Sequence, residues 1–184
     1  FETTGPMLLG TEIGAALTSH PDVRRISFTG SVPTAQRIAA AAAANLTPLS
    51  LELGGKSPLL VFADADLDLA VDLAVEQYDN AGQVCLAATR FLVEESIAEE
   101  FTRRFVDKAT SLTQGDPRDE ATDIGPNIHP RQLEKIDGFV QRALADGARA
   151  VIGGHPIRGQ YYATSALTVV AQDYAILEEV GLGP

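Results

Sequence analysis

The stretch Ser57-Pro58-Leu59-Leu60-Val61-Phe62 constrains the fold more than any other part of this chain. It is a continuous apolar run, opened by Gly54-Gly55 and closed by Ala63-Asp64-Ala65-Asp66. Such a run reads as a strand buried on both faces, the condition of a strand inside a parallel sheet. The residues after it agree with a parallel arrangement. Asp64 or Asp66 caps a helix that runs to about Tyr78, with Leu67, Ala70, Val71, Ala74 and Val75 on one stripe. Arg90 to Val93 is then the next strand.

The same alternation extends in both directions. Glu12 to Ser19 has helical spacing, and Arg25 to Thr29 is a short strand broken by Gly30-Ser31. Ser31 caps the following helix, tolerating Pro33 in its first turn, and Gln36 to Ala44 is rich in alanine. Pro48 to Leu53 is strand-like. Downstream, Ser96-Ile97-Ala98-Glu99 reads as a capping box that opens a helix towards Leu112. Gly115-Asp116-Pro117 and Gly125-Pro126 mark a long loop. Pro130 to Asp146 is an amphipathic helix ended by Gly147. Ala150 to Ile152 is a strand before the Gly153-Gly154 turn, and Ala166 to Val170 is another. The expectation is an α/β fold with a mainly parallel sheet.

Composition excludes several classes of function. Fourteen Lys and Arg against 25 Asp and Glu leave a net charge of −11, the wrong sign for nucleic acid or an anionic membrane surface. No apolar run is long enough to span a bilayer. His20, His129 and His155 are scattered without metal-ligand spacing, so no metal is expected. A single cysteine cannot close an internal disulfide, which points to a reducing, cytoplasmic setting. The chain starts at Phe1 and stops at Gly181-Leu182-Gly183-Pro184, and the expectation is an internal piece of a longer protein.

That cysteine, Cys85, lies in Asn80-Ala81-Gly82-Gln83-Val84-Cys85-Leu86. A lone cysteine is by default a small buried hydrophobe. Here Gly82 and Gln83 place it at a turn after a helix rather than in an apolar stripe. A helix starting near Cys85 would favour the thiolate and offer backbone N–H groups to an oxyanion. Glu52 interrupts the apolar strand Leu49-Leu51-Leu53 just before two glycines. It reads either as a solvent-facing strand end or as a general base held where another group approaches closely. Lys56 is either a partner for a carboxylate or a solvated lysine. Phe28-Thr29-Gly30-Ser31 joins a strand to a helix whose N-terminus suits an anion.

Two of these segments, Glu52-Leu53-Gly54-Gly55-Lys56-Ser57-Pro58 and Gly82-Gln83-Val84-Cys85, resemble the paired signatures of the aldehyde dehydrogenase superfamily. Phe28-Thr29-Gly30-Ser31 resembles its cofactor-binding turn, although Ala35 stands where the family has a second glycine. The resemblance covers nearly the whole chain. It implies a Rossmann-type cofactor domain, represented in part by residues 1–53, and an α/β catalytic domain, incomplete, over 54–184. It implies that Cys85 adds to a small-molecule aldehyde and that hydride leaves to NAD or NADP. The resulting thioester is hydrolysed by water that Glu52 activates, which favours a carboxylic acid product. Gly30 and Ser31 would lie along the cofactor, and Gly54 near the nicotinamide. Glu179 takes the ribose-binding place if Glu178-Glu179 sets the alignment, and Val180 takes it if Gly183-Pro184 does. Homodimers or homotetramers are expected by the same resemblance. The alternatives are a non-catalytic fragment kept for binding or structure, and a thiol esterase that uses no nicotinamide.

Overall fold

The structure is a computed structural model that describes residues 10–168. The chain divides between Gly54 and Gly55 into two compact units.

The first unit holds α1 (Gly10–Thr18), β1 (Ile26–Gly30), α2 (Val32–Ala43) and β2 (Leu49–Leu53). β1 and β2 pair in parallel, from Ile26 opposite Leu49 to Gly30 opposite Leu53, which sets Thr29 opposite Glu52. Ser31 caps α2 as its sequence implies, with its hydroxyl accepting the Thr34 N–H. Ala35 and Ala42 are the buried residues of the helix.

The second unit begins with β3 (Ser57–Val61), α3 (Leu67–Val75), β4 (Ala88–Val93) and α4 (Glu95–Thr110). β3 and β4 are parallel, and α3 packs on α4. Asp66 supplies the α3 cap, its carboxylate accepting the N–H groups of Asp68 and Leu69 at 3.1 Å each. A cap of this kind is worth about 1 kcal/mol. The core between the helices and the strands combines Val61, Val71, Ala74, Val75, Phe101 and Phe105, with Phe91 packed against it. Phe101 and Phe105 stack at 6.1 Å, and Phe91 meets Phe105 edge-on at 5.4 Å. Across the outer side of the helix pair, Arg104 bridges to Asp68 at 2.6 Å and Lys108 to Asp72.

Three expectations are corrected here. Within the 184 residues of this chain the apolar run of β3 is covered on one side: Leu60 is 54% exposed, and so is Leu92 opposite it on β4. Both helices lie on the side of Leu59 and Val61, so alternate residues face outwards. Second, Ser96-Ile97-Ala98-Glu99 does not open α4. The helix starts at Glu95 with Glu94 as its cap residue, and no side chain caps it. The Glu94 carboxylate reaches instead to the Ala63 N–H at 2.8 Å, tying the end of β3 to the start of α4. Third, the remaining strands are antiparallel. After α5 (Pro130–Ala145), β5 (Arg149–Ile152) pairs with β8 (Ala166–Thr168), and β6 (Pro156–Arg158) with β7 (Tyr161–Tyr162). The β6–β7 hairpin is too short to leave an alternating pattern. Gly153 is needed at the turn before it: its φ is +67°, and a Cβ there would meet the Thr164 carbonyl oxygen at 2.2 Å. The Ala166 strand is described only as far as Thr168.

On α4, Glu100 accepts hydrogen bonds from both Arg103 and Arg104, and these hold its carboxyl down to about 2 from an ordinary 4.5. The folded chain therefore keeps the proton off more strongly than the unfolded chain does. The stabilisation is present above the ordinary value and is lost as pH falls through the folded one. Glu100→Gln is expected to flatten the loss of stability on acidification across this interval, measured by urea unfolding at a series of pH values.

Candidate active site

Cys85 is exposed, on a turn closed by the Ala87 N–H donating to the Val84 carbonyl at 3.1 Å. β4 starts three residues later, at Ala88. No helix begins at Cys85, so the helix N-terminus expected from the sequence does not supply its environment. Backbone constraint does. A short 3-10 segment, Glu76–Gly82, follows α3 and is kinked within itself. Asp79 is extended, and then Asn80, Ala81 and Gly82 all take positive φ, at 49°, 55° and 66°. Gly82 adopts this freely and Asn80 with modest cost; Ala81 costs about 1 kcal/mol. Strain of this size persists only where surroundings over-determine it.

Those surroundings are visible. Ala81 is 1% and Ala87 5% exposed, so the thiol projects from between two buried anchors. Tyr78 is buried, and its hydroxyl donates to the Ser165 carbonyl at 2.9 Å. Burial pushes the Tyr78 hydroxyl far above its ordinary pKa, so it remains a donor. The Ala88 N–H donates to the Gln77 side chain at 2.7 Å, fixing the far end of the turn. Gln83 ties the near end: its amide donates to the Asn80 carbonyl at 2.9 Å and accepts the Ile128 N–H at 2.9 Å. Sequence reasoning gave Gln83 no such part, because Ile128 lies 45 residues away. Val84 and Leu86, the neighbours of Cys85, line a groove of about 520 Å³ together with Tyr78 and Ile124. Its rim also carries carboxylates, among them Glu76, Asp79 and Asp123.

Gly54, Gly55 and Lys56 connect β2 to β3. A Cβ on Gly55 would lie 4.0 Å from the Cys85 carbonyl oxygen, so the backbone of these two residues passes close together within the second unit. Glu52 is exposed on β2. Among the described residues its side chain makes no hydrogen bond or ion pair. Glu179, with the alternative Val180, lies outside the described residues.

The β1–α2 turn fits a cofactor's phosphates in character. Residues 29–34 are all exposed. The Ser31 and Thr34 hydroxyls sit 2.9 Å apart at the head of a 12-residue helix. Ala35, which replaces the second family glycine, is 2% exposed. Its methyl group is packed away and leaves the open turn clear. Among the described residues, no group of three or more His, Cys, Asp or Glu could hold a metal ion, and no helix is long and apolar enough to cross a membrane.

The model of the aldehyde dehydrogenase family matches residues 6–184. This chain belongs to the aldehyde dehydrogenase family. It is 42% identical over 179 residues to betaine aldehyde dehydrogenase of Rhizobium johnstonii, covering 94% of this chain and 37% of that one. It is 41% identical to the cytosolic 10-formyltetrahydrofolate dehydrogenase of Xenopus tropicalis, covering 95% of this chain and 20% of that protein. Among solved structures, betaine aldehyde dehydrogenase of Staphylococcus aureus in complex with NAD+ superposes with a TM-score of 0.92 at 36% identity, covering 96% of this chain and 36% of that one. A 3,6-anhydro-L-galactose dehydrogenase in complex with NADP gives a TM-score of 0.89 at 36% identity, covering 94% and 38%. The chain thus spans little more than a third of the betaine aldehyde dehydrogenases it matches.

In this aldehyde dehydrogenase chain Lys56 pairs with no carboxylate among the described residues. It is half-buried, and burial first, then the nearby Arg90 guanidinium, lower its pKa below the ordinary 10.5. Arg90 sits opposite Pro58 in the β3–β4 register, and its Nε is buried without a hydrogen-bond partner. The unfolded chain holds the Lys56 proton more tightly than the folded one, so this lysine makes stability rise with pH between the lowered and ordinary values. Arg90→Met removes the repulsion and is expected to raise the Lys56 pKa. NMR titration of the lysine ε-methylenes checks this; an unchanged midpoint would assign the whole shift to burial.

Proposed function

We propose that the protein containing this chain oxidises an aldehyde to a carboxylic acid with NAD or NADP, using Cys85 as nucleophile and Glu52 as general base. The observation that carries the reading is the exposed Cys85 thiol on a turn whose backbone is held at both ends. A nucleophile of this kind needs access and a fixed direction of approach.

The Cys85 thiolate adds to the aldehyde carbon, forming the C–S bond and moving charge to the oxygen. The Cys85 backbone N–H donates to that oxyanion. Bound nicotinamide supplies the acceptor that takes the hydride. Glu52 then takes a proton from water. The water oxygen bonds to the thioester carbon, the C–S bond breaks, and the acid departs with Cys85 restored. A hydrolytic glutamate favours a free acid over transfer to coenzyme A or phosphate. Gly30, Ser31 and Gly54 would hold the cofactor from this chain, with Glu179 at its ribose. Residues 1–53 belong in this reading to the cofactor domain and 54–184 to the catalytic domain of a cytoplasmic homodimer or homotetramer. The complexes of relatives with NAD+ and with NADP support the cofactor class.

In the intact protein, Cys85→Ala is expected to abolish aldehyde-dependent reduction of the nicotinamide, followed by absorbance; retained oxidation overturns the reading. Glu52→Gln is expected to give one rapid burst of reduced cofactor and then slow turnover, by a factor of about 10² or more. Unchanged steady-state turnover would remove Glu52 from the mechanism.

A further inference from the structure

The nucleophile turn is strained at one end and joined to a distant loop by one side chain. Asn80, Ala81 and Gly82 hold three consecutive positive φ angles directly before Gln83. The Gln83 backbone N–H and side-chain amide both donate to the Asn80 carbonyl, at 3.2 and 2.9 Å. The Asn80 side-chain amide donates back to the Gln83 carbonyl at 3.2 Å. These bonds close the left-handed run upon itself but do not anchor it.

The anchor comes from the other end of the Gln83 amide, which accepts the Ile128 N–H. Ile128 is 82% exposed through its side chain, so its contribution here is backbone. Asn127 beside it is 1% exposed and donates both its backbone N–H and its side-chain amide to the Gln160 carbonyl, at 2.8 and 3.1 Å. Gln160 donates in return to the Asn127 carbonyl at 2.5 Å. The loop that receives Gln83 is therefore itself fixed.

We propose that Gln83 is a positioning residue for Cys85, holding the strained turn against the Asn127–Ile128 loop so that the thiol stays presented to solvent. The proposal rests on Cys85 being the nucleophile for its catalytic meaning, but its physical content is separate. Without the tie to Ile128, the run at Asn80–Gly82 relaxes towards ordinary backbone. The thiol then loses its fixed exposure and turns towards the groove lined by Val84 and Leu86, where a thiolate is poorly solvated.

The test uses the intact protein that contains this chain, with labelling at Cys85 read by mass spectrometry of the peptide that carries it. The iodoacetamide alkylation rate of Cys85 is measured against pH for the native protein, Gln83→Met and Gln83→Glu. Met removes every side-chain hydrogen bond at similar volume; Glu keeps the acceptor for Ile128. The rate is expected to fall roughly threefold or more in the Met variant and to be largely restored in the Glu variant. A Met variant with a native rate and pH profile, or a Glu variant no better than Met, overturns the proposal. Hydrogen exchange of the Ile128 amide in the native protein gives a result independent of any variant: protection is expected, and exchange as fast as in an open loop overturns the proposal. Aldehyde oxidation that survives Cys85→Ala would refute the catalytic reading while leaving the alkylation contrast to stand or fall by itself.

Discussion

Burial of three phenylalanines fixes where everything else in the second unit emerges. Phe91 comes from β4, and Phe101 and Phe105 come from α4. Their mutual contacts, with Val61, Val71 and Ala74, hold a helix pair against a strand pair. Aromatic pairs contribute roughly 0.5–1.5 kcal/mol each beyond their buried area, and here each of the three rings meets both of the others. With α3 and β4 held in this way, the chain between them has to cross a set distance in a set direction. The strained passage from Asp79 to Gly82 and the turn at Cys85 are the result. The proposed nucleophile thus sits on a connection whose two ends belong to the core.

The turn obeys a rule that extends beyond this chain: a reactive group needs exposure, and exposure costs order. Here order returns through backbone and amide hydrogen bonds rather than through burial of the thiol itself. Gln77 fixes the exit of the turn and Gln83 its entry. Both are uncharged, so they constrain direction without placing a charge beside the sulfur.

Much of this is legible in the sequence because it is local. The Ser31 and Asp66 caps, the apolar stripe of α3 and the apolar run of β3 each depend on residues a few positions apart. Glu52 and Cys85 are legible as chemistry because a carboxylate within an apolar strand and a cysteine beside glycine both depart from the ordinary. The features that escape depend on distant partners. The capping box at Ser96 has a fitting local pattern, yet Glu94 serves Ala63, 31 residues earlier. The outward face of β3 depends on which layers cover the sheet, and within these 184 residues α3 and α4 cover one side. Ala81 carries no signal of its positive φ, since alanine is a helix former; only the closure of the turn around it imposes that angle. The part played by Gln83 depends on Ile128 in the same way.

The exposure of Cys85 has a consequence apart from any reaction with an aldehyde. An exposed thiol with no second sulfhydryl among these 184 residues is open to oxidation to a sulfenic acid or to a mixed disulfide with a small thiol. Each product would block the sulfur that the proposed reaction needs without touching the core under it. A preparation handled in air can therefore look perfectly folded by every spectroscopic measure and still be chemically mute, until a reductant returns the sulfur to its starting state.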